Sequence, residues 1–309
     1  MSTKIEGLHH ITAVSGPPKE NYNFYHKILG LRFTKKTVNF DDPSTYHLYY
    51  GNYNATPGSS ITFFPWQHVV QGSPSAGEAT EVQYAIPPGS IGFWADRFSQ
   101  LRIKADEKTG RFGEEMLSLT DNDGMAISLV EDATAAKIET RGFGSVPDEH
   151  AIRGFYGTTL TLADTGRTGE LLKEFGWNRE ESDDFLIRYS SQPENGLGRY
   201  VYLENNPKLS GRFGRGSIHH VAFRVPDDEV QQLWREKLIK LGFQVTPVQN
   251  RDYFRSIYFR EHGGVLFEIA TDIPGFTKDE ELERLGEKLQ LPAWYEKHRE
   301  EIEKQLPEL

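Results

Sequence analysis

Two pairs of adjacent histidines and one carboxylate carry the chemistry open to this sequence. Gly-Leu-His9-His10-Ile-Thr-Ala-Val stands near the start, and Ser-Ile-His219-His220-Val-Ala-Phe-Arg-Val two-thirds along. Each pair opens an apolar run with strand character. Alternation lets only one histidine of a pair face a given side of a regular strand. Glu268 sits in Gly-Gly-Val-Leu-Phe-Glu-Ile-Ala, where a carboxylate among apolar neighbours is costly unless it is paired or bound to a metal. One pair alone reads as structural histidines, and Glu268 alone as a residue facing solvent. Two matching pairs at equivalent places are harder to explain that way. Tyr258 precedes Glu268, and a hairpin centred on Gly263 sets the two opposite each other on one face. Thr12 shares the face of His10.

The elements that must position these residues form a repeat. After Val14 a turn-rich stretch leads to a helical pattern through Tyr22, Phe24, Tyr25 and Ile28, ending at Gly30. After Val225, Pro-Asp-Asp-Glu opens a helix through Val230, Leu233, Trp234 and Leu238, with carboxylates near its positive end and Gly242 as its stop. Three strand-like runs follow each helix: 31–39, 45–50 and 60–64 in the first unit, 244–248, 254–259 and 265–270 in the last. Fainter copies occupy 80–131, with a helix near 91–101, and 153–204, with a helix near 168–175. The expected fold class is α+β: four βαβββ modules forming two curved, mostly antiparallel sheets. Modules one and two are expected over 1–135, modules three and four over 150–275, and a charged helical tail, interrupted at Pro292, over 276–309.

The fourfold unit, with His on its first strand and Glu on its fourth, resembles the vicinal oxygen chelate superfamily of glyoxalases, fosfomycin- and bleomycin-resistance proteins and extradiol dioxygenases. Tyr46-His47-Leu48-Tyr49-Tyr50-Gly51, Pro57-Gly58 and Thr62-Phe63-Phe64-Pro65-Trp66 are similar to the hydroquinone-type ring-cleaving dioxygenases; an acidic residue commonly follows that Tyr-Tyr-Gly, and Asn52 stands here. The resemblance implies that the second histidine of each pair binds metal, selecting His10 and His220 beside Glu268. It gives Tyr258 the part of a hydrogen-bonding partner for a substrate oxygen and Arg251 that of a group reaching the substrate. His9, Thr12 and His219 match its remaining polar positions, although His9 and His219 should point away unless the strand bulges. Tyr49, Phe63, Phe64 and Trp66 could wall a ring pocket or fill the core.

Aligning the units places Thr62 or Phe63, and Ser128, where Glu268 stands, and Tyr156-Gly157-Thr158 where the last His pair stands. Two histidines and one carboxylate are thus expected, a set that suits non-haem Fe(II) with room for substrate and dioxygen together; Mn(II) has similar ligand preferences. If His10, His220 and Glu268 hold one ion, module one must share a cup with module four, leaving modules two and three a metal-free cup. The competing readings are a glyoxalase-like isomerase or resistance enzyme using Zn, Ni or Mn, and a metal-free binding protein of the same fold.

Composition bounds the rest. A net charge of −10 argues against non-specific nucleic-acid binding. The absence of cysteine removes disulfides, thiolate metal sites and thiol nucleophiles. The N-terminus has no apolar signal-like region and no run reaches the length of a membrane span, so a cytoplasmic location and no membrane partner are expected; the resemblance implies a small aromatic substrate with dioxygen. A homo-oligomer stays open. Gly211-Arg-Phe-Gly-Arg-Gly216 precedes a strand and reads as a linker, not a phosphate loop.

Overall fold

The computed structural model describes residues 4–110 and 112–309; Met1–Thr3, part of the N-terminal segment read above, lie outside them. Module one comprises β1 (Leu8–Ser15), a helix, β2 (Arg32–Asn39), β3 (Asp42–Gly51) and β4 (Ser60–Pro65). Its helix starts as α1 (Pro18–Tyr22) and widens to a π-helix over Asn23–Ile28. Module two is β5 (Glu78–Ile86), α2 (Ile91–Gln100), β6 (Ala105–Thr109), β7 (Glu115–Thr120) and β8 (Ala126–Glu131). Module three is β9 (Gly154–Leu162), α3 (Gly166–Glu174), β10 (Asn178–Ser182), β11 (Leu186–Ser190) and β12 (Tyr200–Asn205). Module four is β13 (Ile218–Val225), α4 (Asp228–Lys240), β14 (Gln249–Asn250), β15 (Arg255–Arg260) and β16 (Leu266–Thr271).

These strands make two eight-stranded sheets, ordered β14-β15-β16-β13-β1-β4-β3-β2 and β10-β11-β12-β9-β5-β8-β7-β6. Modules one and four therefore share one sheet, and modules two and three the other. Each sheet is mixed: β1–β4 and β13–β16 run parallel in the first, β5–β8 and β9–β12 in the second, and the remaining pairs are antiparallel.

Helix α4 shows how local chemistry sets an element. The Asp227 carboxylate caps it by accepting from the Val230 amide at 2.9 Å, with Asp228 and Glu229 in the first turn. Gly242, at φ +92°, ends it as glycine alone does without strain. Gln231 pins the helix to the sheet, its Nε2 donating to the carbonyls of Arg255 and Ile269 at 2.7 and 2.8 Å. Apolar side chains on the helix-covered side pack into one core; Phe175 of module three meets Phe223 and Trp234 of module four, each at 5.2 Å between centroids.

Two expectations are corrected. No strand forms over 244–248; β14 covers only Gln249–Asn250. Pro247 removes a donor in the middle of that run, and Thr246 instead ties to β15 by its amide to the Tyr258 carbonyl and by its hydroxyl, which accepts from the Tyr258 amide. The tail, expected to be helical, forms three short 3₁₀ turns and α5 (Arg299–Gln305). Tertiary contacts override its helical pattern: Lys35, fully buried, donates to the Phe276 carbonyl and pairs with Asp279 and Glu280 at 2.6 and 2.5 Å. The tail thereby packs Phe276 against Tyr49 and Tyr253 beside the first sheet's cup. No helix among the described residues is long and apolar enough to cross a membrane.

Asp121 accepts from the Tyr25 hydroxyl at 2.8 Å and from the amides of Asp123 and Met125. Burial nonetheless pushes its carboxyl up to about 6. A carboxyl that holds its proton more tightly when folded loses stability as pH rises from about 4 towards 6, because the unfolded chain gives up that proton first. Asp121→Asn keeps an acceptor for the two amides and removes the titration. Its melting temperature is expected to fall less than that of the parent between pH 4 and 6, as thermal melts across that range would read.

Candidate metal centre

The positions that place the two His pairs are β-bulges. In the β1–β13 pairing Leu8 faces Phe223 and His10 faces Ala222, leaving His9 as an extra residue on β1. Thr12 faces His220 and Ala13 faces Ile218, leaving His219 as an extra residue on β13. A bulge breaks strict alternation and re-aims a side chain. Both members of each pair are thus drawn together: Nδ1 of His9 lies 2.8 Å from Nδ1 of His10, and Nδ1 of His219 lies 2.8 Å from Nδ1 of His220. These bulges meet the condition under which His9 and His219 need not point away, and their rings turn to His10 and His220.

β16 runs beside β13 with Glu268 opposite Ala222, so the carboxylate rises between the two His pairs. Its Oε2 lies 2.9 Å from His220 Nε2 and 3.4 Å from His10 Nε2, and the two Nε2 atoms are 3.4 Å apart. Three mutually cis ligands at bonds of about 2.1 Å have edges of about 3 Å, so this triangle has the size of one face of an octahedral site. His10, His220 and Glu268 form the one such group among the described residues. Glu268 is fully buried, and its Oε2 has no hydrogen-bond partner despite the nearness of His220. Its Oε1 accepts from the Ser256 hydroxyl. One oxygen is held, and the other is left for a cation.

Protonation favours the same use. Burial pushes the Glu268 carboxyl up, but the His10 and His220 imidazoles outweigh it and hold the group well below the usual carboxylate range. Burial lowers His9, His219 (to about 3) and His220, favouring the neutral form of these three. For the Nε2 atoms of His10 and His220 to offer lone pairs, their protons must sit on Nδ1 and be donated to His9 and His219. His9 then carries its own proton on Nε2, where it hydrogen-bonds to the Thr271 backbone. His9 and His219 orient the two imidazoles beside Glu268, and such outer partners are typically worth about 10–100-fold in metal affinity or activity. His9→Ala is expected to weaken retention of an added divalent metal by about that factor while the fold persists, measured by competition against a chromogenic chelator.

The remaining expected residues are placed as follows. Tyr258 stands opposite Glu268, in the register inferred from the hairpin. Arg251 Nε donates to the Tyr258 hydroxyl oxygen at 3.1 Å, and its Nη1 lies 3.2 Å from Asp41 Oδ2. Burial raises the Tyr258 phenol well above its ordinary value, so it stays protonated. Thr12 is fully buried beneath the site, 2.8 Å from the Thr62 hydroxyl. Thr62 also contacts His47 Nε2 at 2.8 Å, and His47 Nδ1 lies 2.9 Å from the Tyr49 hydroxyl. Thr12 therefore meets the cavity only through this chain.

Above Glu268 opens a cavity of about 430 Å³. His10, His219 and His220 share its lining with Arg251, Tyr258 and the aromatic walls Tyr49, Phe64, Trp66 and Phe254. Phe63, the fourth candidate wall, is core, packed against Tyr25 at 4.4 Å. Three contributors were not singled out from sequence. His47 shares the face of Tyr49 on β3, next to the Thr62 that unit alignment puts at the Glu268 position. Ser256 lies two residues from Tyr258 on the same face, and Phe254, in the same alternating series, packs on His9 and His10.

Residues 7–269 match the Glyoxalase/Bleomycin resistance protein/Dioxygenase superfamily. The chain belongs to this superfamily. Within it, the chain is 44% identical to a Bacillus subtilis protein named ring-cleaving dioxygenase MhqO, over 99% of this chain and 97% of the relative. It is 32% identical to the chlorohydroquinone/hydroquinone 1,2-dioxygenase of Sphingobium indicum, over 97% and 95%. A solved dioxygenase structure from B. subtilis superposes with a TM-score of 0.95 at 42% identity, covering 100% and 98% of the two chains. Glyoxalase I of Zea mays shares the superfamily fold at a TM-score of 0.60 and 13% identity, covering 86% and 92%.

Proposed function

We propose that this protein is a ring-cleaving dioxygenase that opens a hydroquinone-like ring, catechols being a secondary class, with Fe(II) held by His10, His220 and Glu268. The observation that carries the reading is the orphaned Oε2 of a buried carboxylate, set in a triangle with two imidazole nitrogens at the floor of an aromatic-walled cavity. A two-histidine, one-carboxylate face suits Fe(II), with Mn(II) the nearest alternative. When bound, the ion would supply a path for electrons between ring and dioxygen.

The chain's own residues have separate tasks. Phe254, Phe64 and Trp66 hold a flat ring and exclude water. Tyr258, kept protonated and receiving a hydrogen bond from Arg251, donates its O–H to a ring oxygen beside the metal position. His219, with Nδ1 accepting from His220, keeps its proton on Nε2 and offers that N–H as a hydrogen-bond donor at the cavity. The names of relatives at 44% and 32% identity support the substrate class.

Anaerobic reloading with Fe(II), Mn(II) or Zn(II), followed by oxygen uptake on methylhydroquinone and catechol, separates the metals. Fe(II) is expected to restore the highest uptake, with hydroquinones faster than catechol. No oxygen uptake with any of the three metals would overturn the oxygenase reading.

A further inference from the structure

The concave face of the second sheet carries another cavity, of about 400 Å³, which the proposed reaction does not use. Register gives its residues their counterparts. β5 and β9 pair with extra residues at Thr80 and Tyr156, as β1 and β13 do at His9 and His219. Glu81 therefore stands where His10 stands, and Gly157 where His220 stands. Tyr202, opposite Thr159, stands where Glu268 stands. No side chain fits at 157, because a Cβ there would lie 2.6 Å from the Tyr200 carbonyl oxygen. A single carboxylate remains at the three positions, so this cup is not built for a metal.

Among the described residues that carboxylate has no cation on it. Glu81 Oε1 accepts from the Ser128 hydroxyl at 2.6 Å, and Oε2 from the Thr159 hydroxyl at 2.8 Å and Gln83 Nε2 at 3.0 Å. The last contact fixes the Gln83 amide, since an ionised carboxylate can only accept. Gln83 Oε1 must then be an acceptor, and it is buried without a partner on a side chain only 6% exposed. A buried acceptor lacking a donor is unfavourable and needs an explanation. The aromatic rings of this cup already face cations: the Arg188 guanidinium lies 5.2 Å from the Phe112 centroid and 5.0 Å from that of Tyr200, and that of Arg199 lies 5.7 Å from Tyr156.

We propose that this second cup binds a small organic cation with N–H donors, a primary ammonium on an apolar or aromatic body. Its N–H groups meet Gln83 Oε1, its charge faces the Glu81 carboxylate, and its body lies against Tyr156 and Tyr202. A quaternary ammonium satisfies the carboxylate but not the orphan acceptor. A neutral alcohol does the reverse.

Calorimetric titration of the full-length protein with benzylamine, benzyltrimethylammonium and benzyl alcohol tests this in the parent, His10→Ala and Gln83→Leu. Benzylamine is expected to bind the parent and His10→Ala alike, at least tenfold more tightly than the other two probes, with at least a tenfold loss in Gln83→Leu. Should Gln83→Leu fail to fold, the Gln83 side-chain amide resonance of the parent is expected to shift on benzylamine addition. Three results would overturn the proposal. One is no benzylamine binding at millimolar concentration, with an unmoved Gln83 resonance. Another is equal binding of all three probes. The third is binding lost in His10→Ala and kept in Gln83→Leu, which would put the ligand in the metal cup.

Discussion

Glu268→Gln is expected to lose bound metal and ring cleavage together, with kcat/KM falling by about 10³-fold or more, the equivalent of the several kcal/mol a metal supplies. Glutamine matches the shape but carries no charge, so the site keeps its volume and loses the one anionic ligand of the three. The fold should survive. The parent carboxylate is fully buried with one orphan oxygen, and an uncharged amide at that place costs less to desolvate in the metal-free protein. The metal-free variant is expected to fold and to melt near or slightly below the metal-free parent, because the imidazoles that hold the carboxyl low favour its charged form, while the metal-dependent rise in melting temperature disappears. A variant that melts far lower without metal would assign Glu268 a structural role instead.

Tyr258→Phe is expected to keep the metal and slow turnover by about 10²-fold, the usual range for losing one positioned proton donor. The distinction rests on geometry. Tyr258 stands across from Glu268 and receives the Arg251 Nε–H, so it touches the substrate side of the centre without being a ligand. Because burial keeps the phenol protonated, it acts as a donor, and no rise in rate attributable to its ionisation is expected up to pH 9. Metal content by emission spectrometry beside steady-state rates reads the split. Loss of metal in Tyr258→Phe, or an unchanged kcat, would contradict this role.

Much of this site is legible in the sequence because its signals are periodic. The two His pairs, Glu268 in an apolar strand, and the Tyr258–Glu268 register are read from the module repeat, strand alternation and one hairpin centre, and a single ion shared by His10, His220 and Glu268 requires modules one and four to share a cup. What alternation cannot show is where it breaks. His9 and His219 are the extra residues of two bulges, and a bulge depends on which neighbouring backbone groups enter the ladder, a property of the paired strand as much as of the residue. His47 and Thr62 form their contact across strands β3 and β4, and neither residue alone carries a mark of it. Pro247 interrupts the 244–248 run that the pattern assigns to a strand, and the tail's irregular course follows from contacts such as Lys35 with Asp279 and Glu280, far apart in the chain.

The central claim is that one ion sits between the first and fourth modules and that oxygen consumption depends on it. Anaerobic metal content, measured with oxygen uptake on methylhydroquinone in the parent and in His10→Ala, tests both halves at once. About one Fe(II) per chain and hydroquinone-dependent oxygen uptake in the parent, with both lost in His10→Ala, is the predicted result. A parent that holds zinc or no metal and consumes no oxygen, or a His10→Ala protein that keeps full iron and rate, would contradict it.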